Sequence, residues 1–171
     1  MASLREEDKP WKTDLARKSA LRREQVFHEV EEAIKKAPSF EEALRETVEL
    51  MKKRFARYSA LTAYVADGED LAVHISLERP QGPERVWSGG GPLADAAQGQ
   101  QPMVVSDLSS AAPWAGVGLA SGSVMVAPIR TEAGLWAILE VWSDFRDAFS
   151  PQDVKLLGKV ASSLAKKTPA A

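Results

Sequence analysis

The stretch of sequence that decides the fold is SVMVAPIRTEAGLWAILEVWS, residues 123–143. It contains two runs rich in strand-forming residues, 123–130 and 135–143, separated by the turn-forming segment Thr-Glu-Ala-Gly at 131–134. A run, a short turn and a second run predict a β-hairpin, in which the two strands pair antiparallel.

The second run of this hairpin alternates between two kinds of side chain. Successive strand residues point to opposite faces, so one row contains Leu135, Ala137, Leu139 and Val141, and the other contains Trp136, Ile138, Glu140 and Trp142. We expect the aliphatic row to meet helices and the tryptophan row to line a pocket. An unpaired buried carboxylate is costly, so Glu140 there needs water or a partner.

The rest of the chain predicts a second hairpin and three long helices. Strand-like runs at 60–66 and 71–77 flank Asp67-Gly68-Glu69-Asp70, which is a turn signal. Helices are predicted over 13–36, from the cap residue Ser39 onward, and from the Ser150-Pro151 pair onward.

Residues 78–122 hold most of the glycine and proline and are weakly periodic. Within them we predict a helix at 92–98 and a strand at 103–105. Loops of this length are usually binding elements or disordered. This one is too apolar to be solvated throughout, so we expect it to pack on the rest of the domain. The order of elements predicts an α+β fold, in which helices from both ends of the chain cover one face of an antiparallel sheet and a loop-and-helix roof covers a pocket on the other.

Composition restricts the chemistry. The chain has 171 residues, 44% hydrophobic and 27% charged, with no Cys, two His and a formal net charge of −2. This is typical of one globular domain, and it excludes disulfides, thiolate metal sites and a cysteine nucleophile. We expect no metal, no cofactor, no nucleic acid and no membrane partner, and we interpret the basic cluster at 52–57 as a solvated helix face.

No signal peptide or membrane span is evident, so we expect a cytoplasmic location. The predicted organisation is a disordered segment at 1–12, a dimerisation helix at 13–37, the main domain at 38–165 and a frayed tail at 166–171.

Several stretches, taken in order, resemble the GAF family, a small-molecule sensor module. They are FEEAL (40–44), YVADG (64–68), GPLA (91–94), QPMVVSDL (101–108), SVMVAPI (123–129), WAILEV (136–141) and FSPQDVKLL (149–157). The resemblance spans about 40–164. It implies terminal helices on one face of the sheet, a roofed pocket on the other, and a first helix that often pairs with that of a second subunit.

Departures from the family pattern argue against three known functions of GAF domains in this chain. Cyclic-nucleotide-binding members carry an Asn-Lys pair, then Phe, three residues and Asp-Glu. This chain has Ser143-Asp144 and keeps only Phe149 and Asp153, which argues against cyclic nucleotides. Bilin-carrying members attach their pigment through Cys and the methionine sulfoxide reductase members use Cys for catalysis, whereas this chain has none. With no Ser/His/Asp arrangement or paired carboxylates either, we expect no enzymatic activity.

Each of two candidate ligand-binding features has two interpretations. Gly89-Gly90-Gly91 is either an anion-binding nest or a flexible connection, and Asp107 is either an N-cap or a ligand contact. The predicted pocket residues are Tyr64, Trp87, Gly90, Gly91, Leu93, Asp107, Trp114, Trp136 and Glu140. The predicted dimer interface consists of Ala16, Ala20, Phe27, Val30 and Ile34.

Two functions follow from these observations. The first is a sensory or regulatory domain that binds a small cytoplasmic molecule, forms a homodimer and signals through an unidentified partner. The alternative is a structural pairing module whose pocket is filled by its own side chains. An apolar stripe on an unpaired first helix would be unexplained, so pairing is expected under both.

Overall fold

The residues described by the computed structural model, 10–79, 83–87, 92–110 and 121–169, form four helices and six strands. The helices are α1 (Pro10–Lys36), α2 (Phe40–Arg54), α3 (Pro92–Gln98) and α4 (Pro151–Ala165). The strands are β1 (Ala60–Asp67), β2 (Asp70–Leu77), β3 (Arg85–Trp87), β4 (Met103–Val105), β5 (Ser123–Thr131) and β6 (Gly134–Ser143), and a short 3₁₀ turn covers Leu108–Ser110. The α+β prediction is confirmed.

The boundaries differ from the predicted ones in three places. Helix α1 begins at Pro10, within the segment predicted to be disordered. Strand β3 was not predicted, because three residues are too few to show a period. The first three residues of the segment predicted to fray, Lys166, Lys167 and Thr168, are hydrogen-bonded back to α4. None of the described helices is long and apolar enough to cross a membrane.

The sheet has the order β3-β2-β1-β6-β5-β4, and every described pair is antiparallel. The two predicted hairpins, β1–β2 and β5–β6, form its centre, and they join where β1 pairs with β6. The short strands β3 and β4 lie at the two edges. The hairpins therefore supply the regular framework, and the middle of the chain adds its edges.

One face of the sheet is covered by helices. Helices α2 and α4 pack on the strands, and α1 packs on α2 and α4. The predicted apolar stripe of α2 is buried from Phe40 to Met51, with Ser39 accepting a hydrogen bond from the backbone of Glu42 as the N-cap. From β6, Ala137, Leu139 and Val141 enter the same core. The aliphatic row thus meets the helices, as predicted.

Trp136 lies on the helix-covered face, so its predicted place beside the pocket is wrong. Ile129 pairs with Ala137 while Arg130 pairs with Leu135, so Trp136 is the extra residue of a β-bulge. A bulge reverses the alternation of faces beyond it. Trp136 consequently packs edge-to-face on Phe40 of α2, with ring centroids 5.9 Å apart, and Leu135 joins the opposite face.

The second face of the sheet is covered by the middle of the chain. Here Tyr64, Val126 and Ile138 are buried in one cluster with Leu93 of α3 and Leu108 of the 3₁₀ turn. Trp142 packs at its border and donates its indole N–H to the Ser121 carbonyl at 2.8 Å. The described part of the middle segment therefore acts as a roof, in agreement with the predicted architecture.

The predicted dimer stripe of α1 is divided between two environments. Val30 and Ile34 are 0% and 3% exposed, buried in the core of their own chain, and Phe27 packs against it. The assignment of Val30 and Ile34 to a dimer interface is wrong, because both residues face α2 and α4 of their own chain. For Phe27, which is half-buried, the assignment stays a prediction. Ala16 and Ala20 are exposed.

Candidate functional site

A buried ion pair lies on the roofed face of the sheet. Glu140, in the middle of β6, has a side chain 1% exposed, and Arg79 has a side chain 5% exposed. The Arg79 Nε donates to the Glu140 Oε1 at 3.2 Å. Tyr64 of β1 donates its hydroxyl to the same oxygen at 3.4 Å, and the Arg79 guanidinium lies 5.8 Å from the centre of the Tyr64 ring. We call Tyr64, Arg79 and Glu140 the buried triad.

Arg79 reaches the triad because the chain bends where β2 ends. Glu78 has a φ of 58°, in the left-handed region that is uncommon for a residue other than glycine. The Glu78 carboxylate pairs with Lys52 of α2 at 2.9 Å, on the helix-covered side. The next residue, Arg79, is thereby directed to the opposite face of the sheet, where Glu140 lies.

One oxygen of the triad has no partner. Within the described structure, Glu140 Oε2 is buried and makes no hydrogen bond. A buried acceptor without a donor carries its full desolvation cost, and such groups are rare in native proteins. Among the residues that the structure describes, none therefore supplies a donor to Oε2.

Burial changes the acidity of both protonatable members of the triad. Removal from water raises the pKa of Glu140 to about 7, against the opposing effects of Arg79 and the Tyr64 hydrogen bond. Burial, followed by the charge of Glu140, raises the pKa of Tyr64 above its ordinary value, so the phenol stays protonated. Near neutral pH, Glu140 can thus accept a hydrogen bond as a carboxylate or donate one as an acid.

Three predicted pocket residues lie together on this face. Tyr64 and Glu140 belong to the triad, and Leu93 is buried in the cluster that contains Tyr64. Four others, the side chain of Trp87 and residues Gly90, Gly91 and Trp114, lie outside the described residues. The two interpretations of the Gly89–Gly91 stretch therefore stay predictions.

Asp107 acts as a cap in the described structure. Its Oδ1 accepts from the Ser109 backbone N–H at 3.0 Å and from the Ser109 hydroxyl at 2.6 Å. These hydrogen bonds, with help from Arg146, outweigh the effect of burial and hold the pKa of Asp107 below its ordinary value. This is the local capping role that the sequence predicts, and a ligand contact at Asp107 stays untested.

Arg79 was not among the residues predicted for the site. No periodicity marks it, since it follows the last residue of a strand. The available signal was indirect: a glutamate on a buried strand face needs a cation, but the sequence does not say which one.

A family model of the GAF domain matches residues 37–166 of the chain. The structure of a free methionine-R-sulfoxide reductase from Neisseria meningitidis, in complex with its substrate, is 23% identical, with a TM-score of 0.78 and coverage of 88% of this chain and 89% of that one. No curated protein sequence matches the chain.

Two further solved structures are GAF domains of other proteins. A putative GAF sensor protein from Burkholderia vietnamiensis is 21% identical, with a TM-score of 0.78 and coverage of 87% and 94%. The GAF domain of a phosphoenolpyruvate-protein phosphotransferase from Coxiella burnetii is 16% identical, with a TM-score of 0.73 and coverage of 86% and 93%. At these identities the likeness shows the fold.

The expectation of a protein without enzymatic activity is contradicted by these comparisons. Free methionine-R-sulfoxide reductases, at 16–23% identity, are enzymes that share this fold. The fold therefore gives no ground for excluding catalysis. Because the chain contains no Cys, any reaction at its site uses groups other than a thiol.

Proposed function

The chain belongs to the GAF domain family, and from this premise we propose that it is a regulatory domain that binds a small molecule between the roof and the sheet, at Glu140. The observation that carries the proposal is a carboxylate whose side chain is 1% exposed and whose Oε2 has no hydrogen-bond partner among the described residues. A bound N–H or O–H donor at this oxygen offsets the cost of burying it.

The charge of the triad indicates the chemistry of that donor. Arg79 already compensates the charge of Glu140 through Oε1. A neutral N–H or O–H group therefore satisfies Oε2 without adding a second buried cation, whose desolvation is costly. The apolar remainder of the ligand packs against the side chains of the roofed face, as in most small-molecule sites. The Neisseria meningitidis structure, solved with its substrate, supports small-molecule binding by this fold.

Ligand binding has a direct route to the rest of the domain. Strand β6 carries Glu140 on one face and Leu139 and Val141, which pack under the helices, on the other. A ligand that orders the roof therefore also acts on the strand that supports α2 and α4, and it shifts the population between two states. The output partner, and a cytoplasmic location, stay predictions.

Native mass spectrometry of protein purified from its source tests the proposal. We expect the native chain to retain a molecule of a few hundred daltons and Glu140→Gln to lose it, because the amide has a different acceptor geometry and no charge to hold Arg79. Glu49→Gln is the matched control, an exposed acid on α2 given the same change. A native chain without retained mass, or equal retention in both variants, would contradict the proposal.

A second candidate function, pairing through α1, is favoured by one observation. Leu15 and Leu21 are each 56% exposed on the half of α1 that precedes the packed residues. Ala16 and Ala20 are exposed on the same half. A second copy of the chain that packs there would bury these residues, and we propose this half of α1 as the homodimer contact in place of Val30 and Ile34.

A further inference from the structure

A groove of about 1030 Å³ runs along α4 on the helix-covered side of the domain. Its walls come from α4, from the end of α1, from the outer part of β5 and from the loop that precedes β4. It lies on the opposite side of the sheet from Glu140, so small-molecule binding at the triad does not account for it.

The groove is lined by four cations without an acidic partner. Arg130, Lys155, Lys159 and Lys166 all border it, and within the described residues no carboxylate oxygen lies within 4.0 Å of their charged nitrogens. Arg130 donates to the Ala97 backbone carbonyl, which leaves its positive charge uncompensated. The three lysines follow the spacing i, i+4, i+11, which places Lys155 and Lys159 of α4 and its C-cap Lys166 on one side of the helix over about 16 Å. The chain as a whole carries a net charge of −2, so this positive strip is a local feature.

The acidic residues of the groove do not neutralise the strip. Two glutamates, Glu31 and Glu132, also line it. Glu31 is 3.5 Å from Lys35 Nζ, outside the strip, and Glu132 lies in the β5–β6 turn. Lys159 contacts an apolar surface instead, with its ammonium 4.3 Å from the centre of the Phe27 ring. The positive field along α4 is therefore available to a partner.

The shape of the groove suits a polypeptide chain. Strand β4 pairs only with residues 124–126 of β5, and within the described residues no strand pairs with the outer edge of β5 beyond Val126. Small residues of α4, such as Gly158, form the floor beside this edge. A Cβ at Gly158 would lie 3.1 Å from the Pro102 ring, so glycine lets the wall at Pro102 approach the helix closely.

We propose that this groove docks an acidic, extended segment of a partner protein, whose carboxylates contact Lys155, Lys159, Lys166 and Arg130. Charge complementarity selects the partner, and the edge of β5 beyond Val126, which no described strand pairs with, offers backbone groups to an extended chain. A flat anionic bilayer does not enter a walled groove, and a nucleic acid duplex needs a longer basic surface than one strip on a chain of negative net charge.

Fluorescence anisotropy with a labelled peptide of alternating Glu and Thr tests the docking site, with a Gln-Thr peptide as the neutral probe. At about 50 mM salt we expect the full chain to bind the acidic peptide and not the neutral one. Lys155→Glu/Lys166→Glu should weaken binding by about tenfold, because two attractions become repulsions. Lys36→Glu/Lys53→Glu, with the same change of charge at exposed lysines outside the groove, should bind like the native chain.

Three results would overturn the proposal. The first is no binding of the acidic peptide by the native chain, and the second is equal weakening in the two double variants. The third is a groove-dependent interaction with phosphatidylserine vesicles or duplex DNA in place of the peptide. Since neither double variant touches the buried triad, ligand retention in native mass spectrometry is expected to be unchanged in both. The two proposals can therefore fail independently.

Discussion

At Glu140, burial and ion pairing act on one carboxylate in opposite directions. Burial raises the pKa from an ordinary 4.5 to about 7, and Arg79 and Tyr64 oppose the shift without cancelling it. An acid with a raised pKa in the folded state takes up a proton on folding between those two values. The contribution of Glu140 to stability should therefore fall as the pH rises from about 4.5 to about 7 and stay constant above that range.

Glu140→Gln should remove this pH dependence. We expect the free energy of unfolding of the native chain, relative to the variant, to fall by on the order of 3 kcal/mol across the window, since one pKa unit corresponds to about 1.4 kcal/mol. Urea denaturation of both proteins between about pH 4 and pH 8 measures the difference. The slope is the readout, because the variant also removes the ion pair between Glu140 and Arg79, which changes stability at every pH. A difference that is constant with pH would contradict the prediction.

Residue patterns predicted part of the site. Alternation along 135–143 and the cost of burying an acid indicated Glu140, and Tyr64, which was predicted as a pocket residue, donates its hydroxyl to Glu140. Arg79 was not predictable, since the contact joins residues 61 positions apart. Trp136 was assigned to the wrong face, because the sequence does not reveal the bulge that moves it.

Among the elements, α4 has the most fully satisfied helix start. Ser150 and Asp153 form a reciprocal capping box, and Asp153 Oδ1 also accepts from Arg23 of α1 at 3.1 Å and from the Tyr58 hydroxyl at 3.4 Å. Burial alone would raise the pKa of Asp153, but the hydrogen bonds from Ser150 and Arg23 hold it below its ordinary value. The cap thus connects α1, α4 and the residues before β1.

Ser150→Ala should destabilise the domain by about 1–2 kcal/mol, because it removes the acceptor for the Asp153 backbone N–H and a hydroxyl donor to the Asp153 carboxylate. Urea denaturation at neutral pH gives the value. Ser162→Ala is the control, the same change on the exposed face of the same helix, and should change stability by no more than about 0.5 kcal/mol. Equal effects at the two positions would show that the cap contributes nothing specific.

At the scale of the whole molecule, among the residues of α1 whose side chains the structure describes, only the C-terminal part, from Val26 onward, contributes buried residues to the core. Val26, Val30 and Ile34 are buried against α2 and α4, while Leu15 and Leu21 are exposed. Exposed leucines on a helix carry a cost in water that association with a second copy removes.

Leu15→Glu/Leu21→Glu should convert a homodimer into a monomer, because two charges placed in an apolar contact oppose association. Size-exclusion chromatography with light scattering measures the mass directly. Phe145→Glu introduces an acid at another exposed apolar residue, 67% exposed, and should leave the mass unchanged. A native chain that is monomeric at high concentration, or a double variant that remains dimeric, would refute pairing through this half of α1.

The sequence by itself determined the elements of this protein and their order. Helix periods, the Ser39 and Ser150 caps and the two hairpin turns act over a few neighbouring residues, so the α+β fold with helices on one face could be predicted from them. Tertiary structure alone decided which surfaces those elements present. Contacts between distant residues directed Arg79 onto Glu140 and turned Val30 and Ile34 inward, and a mismatch in strand pairing moved Trp136 under the helices. Such contacts depend on how the whole chain packs, and no local pattern encodes them.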